Sequence, residues 1–242
     1  MSSIEQKKAE KAQLAEQKKA EKAQLAEQKK AEKAQLAEQK KAEKATIKAD
    51  QYTSEILRKR YSMYRLMYIE TANIIETTGL PIRHQNPPED ITENVAKFII
   101  QNYDNDDSCK WAKAIGKKGD LYSSKFSIEQ PPEIKSFTSD GPSSFGPTKK
   151  FGVIYFLDMR AWLDDRFVLW RVNLNNDSPE WKTLKMNKKQ TLAEQCDEKR
   201  RPHISWEKIY PQISENCTKL YEGTFEGIFT VAMPVPAMPV PL

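Results

Sequence analysis

The stretch Gly119-Asp120-Leu121-Tyr122, followed after twelve residues from Asp120 by Glu133-Ile134-Lys135-Ser136-Phe137, decides how this 242-residue chain is read. In a strand, successive side chains point to opposite faces, so Glu133 and Lys135 project together while Ile134 enters a core. The intervening segment has Ser123-Ser124 as a turn and Gln130-Pro131-Pro132 at the entry to the second strand. It is long enough for a hairpin that returns Asp120 to the side of Glu133. Two carboxylates and an ammonium then meet at one point. The spacing alone is weak: with 30% charged residues it arises by chance, and it equally describes a solvated strand face carrying an ordinary Glu, Lys pair.

Outward from this stretch the pattern divides in two. Toward the C-terminus, Leu121 to Ile128, Glu133 to Phe137, Val153 to Leu157 and Phe167 to Val172 read as strands between clusters of Gly, Pro, Asn, Asp and Ser. Thr191 to Cys196 and Trp206 to Ile213 read as short helices. Trp162 is expected to be exposed, next to an Asp164-Asp165 hairpin turn. Toward the N-terminus the period is helical. Leu57, Tyr61, Tyr64, Tyr68, Ala72 and Ile75 recur at three and four through residues 50–78, a face for core or dimer contact, and Gly79 with Pro81 ends the helix. A second helix runs from Asp90 to about Gln101, with Val95, Phe98 and Ile99 inward. Helices, a cluster of strands and helices again predict an α/β (α+β) fold with a mixed central sheet.

Residues 1–47 carry four copies of an eleven-residue unit, as in Ala15 to Leu25, preceding a folded domain at 48–231 and a proline-rich tail at 232–242. Eleven residues make three helical turns, which keeps Leu14, Leu25 and Leu36 nearly in line. The repeat reads as helix, either a right-handed coiled coil that pairs chains or a solvated single helix; one Leu per repeat favours the second. It holds twelve Lys against eight Glu and so supplies most of the net charge of +5. The folded part is nearly neutral, so any nucleic-acid surface must be local. Cys109, Cys196 and Cys217 include no Cys-x-x-Cys pair, which argues against a disulfide framework or a zinc site and fits a cytoplasmic location. No apolar run approaches the roughly 20 residues a membrane span needs.

The trio suits metal-assisted phosphodiester hydrolysis. Magnesium is a hard cation held by one or two carboxylates, the rest of its shell coming from water and phosphate, so Asp120 and Glu133 are the candidate ligands. Lys135 is placed to orient or deprotonate the attacking water and to stabilise charge developing at phosphorus. The products would carry a 5′-phosphate and a 3′-hydroxyl.

Gly119 to Tyr122 followed by Glu133 to Phe137 resembles the active-site signature of the PD-(D/E)XK nuclease superfamily. Ser139 to Thr148, Ile154 to Asp158 and Lys199 to Ser205 resemble blocks of type II restriction endonucleases, in the same order, from about Pro87 to Ile213. Gly119 stands where that signature has proline. The resemblance implies a restriction-endonuclease-like core with a central mixed β-sheet flanked by helices, and catalysis by Asp120, Glu133 and Lys135 with Mg2+. It also implies a homodimer that cuts both strands of double-stranded DNA at a short palindrome, with a cognate DNA methyltransferase as functional partner. Glu93, on the preceding helix, either joins the metal site or caps that helix.

DNA contact is expected in two places. Thr138 to Lys150 combines small residues, hydroxyls and Lys149-Lys150, which marks Ser139, Ser143, Ser144, Lys149 and Lys150; an ordinary surface loop is the alternative. Lys199, Arg200, Arg201 and His203 form the densest basic cluster of the folded part; arginine can grip guanine through two parallel hydrogen bonds, and a solvated charge run is the alternative. Asp158 is either a further ligand or an ion-pair partner of Arg160 or Arg166. Two rival functions stay open: a structure-selective or repair nuclease of the same superfamily, and a non-catalytic DNA-binding or scaffold protein.

Overall fold

A computed structural model describes residues 49–230; the repeats expected at 1–47 and the tail expected at 232–242 lie outside the described residues. Helix α1 (Ser54–Thr78) starts at Thr53, whose hydroxyl accepts the Ile56 amide, and ends at Gly79, whose left-handed φ of 66° lets its N–H return to the Ile75 carbonyl. Helix α2 (Glu89–Tyr103) follows a Pro-Pro entry and buries Ile91, Val95 and Ile99. Leu57, Tyr61 and Tyr64 of α1 join them in one core. The buried ammonium of Lys97 anchors the start of the domain on α2, 3.0 Å from Asp50 and 2.7 Å from the Tyr52 carbonyl.

The main sheet has four strands in the order β3 (Pro132–Phe137), β5 (Val153–Asp158), β6 (Phe167–Val172), β8 (Cys217–Gly223). β3 and β5 run parallel; the other pairs are antiparallel, so the sheet is mixed as expected. Alternation along β5 divides the interior. Val153, Tyr155 and Leu157 face the core built with α1 and α2, whereas Ile154 and Phe156 face a second core containing Trp181 and Trp206. Short helices α3 (Pro179–Lys182), α4 (Leu192–Asp197) and α5 (Trp206–Ile213) cover that second face, α4 opening with the capping box of Thr191 and Glu194. Two small ladders complete the fold: β1 (Lys110–Trp111) with β2 (Leu121–Tyr122), and β4 (Ser143–Ser144) with β7 (His203–Ile204). Among the described residues no helix is long and apolar enough to cross a membrane.

Three expectations are corrected, and one strand was missed. The strand from Leu121 stops at Tyr122, because the Ser123 hydroxyl is drawn to Asp106 at 2.6 Å and also accepts the Lys125 amide, turning the chain. β2 pairs with β1, not with β3, so Asp120 does not return through a simple hairpin. Trp162 is buried, at 3% exposure, among the rings of Tyr61, Tyr64 and Tyr68. Finally, β8 escaped the sequence pattern: as an edge strand it buries only Tyr221, so its alternation is masked by Lys219 and Glu222.

Candidate active site

The site forms at the edge strand β3. Its alternation sends Ile134 into the first core and turns Glu133 and Lys135 together, with Lys135 Nζ donating to Glu133 Oε1 at 2.7 Å. Asp120 arrives by another route. Gly119 adopts φ of 99°, a conformation that favours glycine and that proline, fixed near about −65°, cannot reach. Asp120 Oδ2 then accepts the Ile134 amide at 2.9 Å, which locks the carboxylate against the strand that carries Glu133.

Lys149 completes the centre. Its ammonium lies 3.2 Å from Asp120 Oδ1 and contacts Glu133 Oε2, so one cation bridges the two carboxylates. Glu133 is 3% exposed. Burial pushes its carboxyl upward and the charge of Asp120 adds to that, while Lys135 and Lys149 pull it back. Burial lowers the Lys149 ammonium, but the two carboxylates outweigh it and hold the group above its ordinary value. Lys149, expected among the DNA contacts, here meets Asp120 and Glu133. Nothing in its position sixteen residues after Glu133 announced this.

Glu93 points from the first turns of α2 toward the same region, 5% exposed. It does not cap the helix. Its carboxylate accepts the Trp111 indole N–H at 2.5 Å and lies 3.2 Å from the Lys113 ammonium. Its carboxyl is pushed up to about 7: burial raises it most and the Asp120 charge adds to that, while Trp111 and Lys113 act against both. Neither partner was singled out from sequence, because residues 18 and 20 positions apart meet only through the β1–β2 ladder.

Among the described residues, no group of three or more His, Cys, Asp and Glu side chains stands close enough to hold a metal ion by itself. Asp120 and Glu133 nevertheless fit a hard divalent cation. They are two oxygen donors that converge on one positive centre, and one or two carboxylates are the usual protein share of a magnesium shell.

The two segments expected at DNA are joined by the β4–β7 ladder, which pairs Ser143 with Ile204 and Ser144 with His203; the Phe145 amide extends it to the Pro202 carbonyl at 3.0 Å. A groove lined by Asn86, Lys135, Ser139, Gly141 and Ser144 passes from Lys135 to this ladder, whereas Glu133 and Lys149 open on a second hollow with Phe145 and Trp181. Ser139, Lys150, Lys199, Arg200, Arg201 and His203 are exposed, whereas Ser143 is buried. Arg200 also pairs with Glu198 at 3.1 Å. Asp158 resolves toward the ion-pair alternative. It binds Arg160, and Arg160 also reaches Asp140 of the loop after β3 and Glu207 of α5.

A family model described as Bsp6I restriction endonuclease matches residues 50–212. A relative, the type II restriction enzyme Bsp6I of Bacillus sp. (strain RFL6), is 35% identical over 63 residues, 26% of this chain and 34% of that protein. The matched stretch thus spans about a third of the relative's length. No solved structure matches the chain. Since the family model covers more than half of the chain, including both carboxylates, both lysines of the centre and the β4–β7 ladder, the chain belongs to the Bsp6I restriction endonuclease family.

Proposed function

We propose that this protein is a type II restriction endonuclease that hydrolyses phosphodiester bonds in double-stranded DNA at a short palindromic sequence, leaving 5′-phosphate and 3′-hydroxyl ends. One observation carries the reading: the side chains of Asp120, Glu133 and Lys135 gather at β3, and Lys135 also lines the groove that holds Ser139, Ser143 and Ser144. Family membership supports the same conclusion.

Asp120 and Glu133 are the residues that would hold Mg2+, with Glu93 near enough to bias the site. When bound, the ion would supply Lewis-acid neutralisation of the phosphate charge. The protein's own contribution is to fix the carboxylates before substrate arrives. The Ile134 amide orients Asp120, and the ammonium groups of Lys135 and Lys149 offset part of the upward push that burial and the Asp120 charge exert on Glu133. Lys135, 19% exposed, is the group placed to orient the attacking water and to meet negative charge developing on the phosphate. Ser139, Ser144, Lys150, Lys199, Arg200, Arg201 and His203 then serve as DNA contacts, the lysines to phosphate and the arginines available to guanine. A homodimer would match the twofold symmetry of a palindrome, and a cognate methyltransferase would protect host sites.

Incubating the full chain with plasmid DNA and Mg2+ and sequencing the ends tests the proposal. One recurring palindrome with 5′-phosphates is the expected result. Glu133→Ala and Lys135→Ala should abolish cutting while retaining DNA binding. Cutting confined to mismatches or branches would point to a structure-selective nuclease. Binding without any cleavage by the wild type would leave a DNA-binding scaffold as the better account.

A further inference from the structure

Helix α1 carries two apolar faces, and the fold uses only one. Leu57, Tyr61 and Tyr64 sit in the core, and Arg58 and Arg65 fasten the neighbouring side through Glu226 and the Leu163 carbonyl. Roughly a quarter turn away, at about 100° per residue, lies the stripe Ile56, Arg60, Met63, Met67, Glu70 and Ile74. Its steps of four, three, four, three and four residues are those of a helix-pairing seam. Ile56, Met63, Met67 and Ile74 are between 41% and 57% exposed. Four large apolar side chains on one line, open to water, are unusual for a helix that already has a buried face.

We propose that this stripe pairs with the same stripe of a second copy of the chain, the two α1 helices running antiparallel about a twofold axis at the level of Arg65. The sequence is self-complementary about that level. Ile56 falls opposite Ile74 of the partner subunit, Met63 opposite Met67 of the partner subunit, and Arg60 opposite Glu70 of the partner subunit. Charge follows the same rule. Arg58 and Arg65 are turned to another side, so the charges on the stripe itself are Arg60 before the axis and Glu70 after it. A parallel pair in register would set Arg60 on Arg60 and Glu70 on Glu70; the antiparallel pair sets each on its opposite. Arg60 pairs with Asp90 of its own chain at 2.9 Å, and would share that pairing with Glu70 of the partner subunit. A polar pair within an otherwise apolar seam fixes register, since any slip leaves both charges facing methionine or isoleucine. This deepens the proposal that two copies act on one palindrome, but its test reads association and not cleavage.

The test is charge reversal in the full chain, with sedimentation equilibrium as readout and circular dichroism as the check on folding. Wild type should be dimeric. Arg60→Glu alone faces Glu with Glu at both crossings, and Glu70→Arg alone faces Arg with Arg, so each should weaken the dimer at least about ten-fold. Mixing the two variants restores opposite charges at both crossings and should recover a heterodimer of near wild-type affinity. Arg60→Glu also meets Asp90 within its own chain, so Met63→Asp/Met67→Asp, at exposed positions, provides a second route to the monomer. A monomeric wild type would overturn the proposal. So would a dimer indifferent to all these changes, or charge variants that fail to pair when mixed. In each case the cleavage assay would still decide the nuclease reading separately.

Discussion

Replacing Glu93 with glutamine should make the protein more stable above neutral pH. The buried carboxylate is raised from 4.5 to about 7, chiefly because burial penalises its charged form. The folded state therefore binds this proton more tightly than the unfolded chain does. Stability falls as pH rises from 4.5 through about 7, and the deficit is complete above that. At about 1.4 kcal/mol per pH unit, the gap amounts to about 3 kcal/mol. Glutamine imitates the protonated carboxyl and keeps an oxygen for the Trp111 indole. The pull of Lys113 on the charged carboxylate is already contained in that gap and is not subtracted again. The net gain of Glu93→Gln near pH 8 should be about 3 kcal/mol, shrinking to a few tenths of a kcal/mol by pH 4.5. Urea unfolding without divalent ions, followed by tryptophan fluorescence at several pH values, measures it. A variant no more stable than wild type near pH 8, or one with an equal gain at every pH, would refute the claim that burial of a charge is what raises Glu93.

Two further outcomes follow from the same geometry. Lys149→Ala leaves Asp120 and Glu133 to repel each other; because Lys149 is 40% exposed the loss is partly screened, at about 1 to 2 kcal/mol near pH 8. Melting temperatures with and without Mg2+ check it: the ion should stabilise the variant more than the wild type, and equal shifts would contradict the bridging role of the ammonium. Gly119→Ala puts an L side chain at φ of 99° with its Cβ 2.8 Å from the Pro131 ring, costing about 2 to 4 kcal/mol. Chemical denaturation measures the loss, and the specific activity of the folded fraction should also drop, since Asp120 hangs from that residue.

Much of the architecture was readable in the chain because it rests on local rules. The three- and four-residue recurrence from Leu57 to Ile75 and the stop at Gly79 returned α1 nearly to its ends. Runs of β-branched and aromatic residues returned β5 and β6. The polar edge strand β8 and the two-residue strands did not announce themselves, because pairing partners define them and their own patterns do not. Trp162 looked exposed beside two aspartates, yet three tyrosines of α1 enclose it.

The sequence by itself set the chemistry within a strand: alternation made Glu133 and Lys135 neighbours whatever surrounded them. Gly119 stood out in the sequence only as the position where the signature has proline; its φ of 99° belongs to the structure. Tertiary structure alone decided which distant groups complete the centre. Asp120 comes to β3 through a ladder with β1 and a bond to the Ile134 amide, and the half-exposed Lys149 reaches both carboxylates with its ammonium. The physical reason is range: side-chain direction within a strand is fixed by adjacent peptide geometry, whereas the meeting of opposite charges from separate segments depends on where those segments are packed.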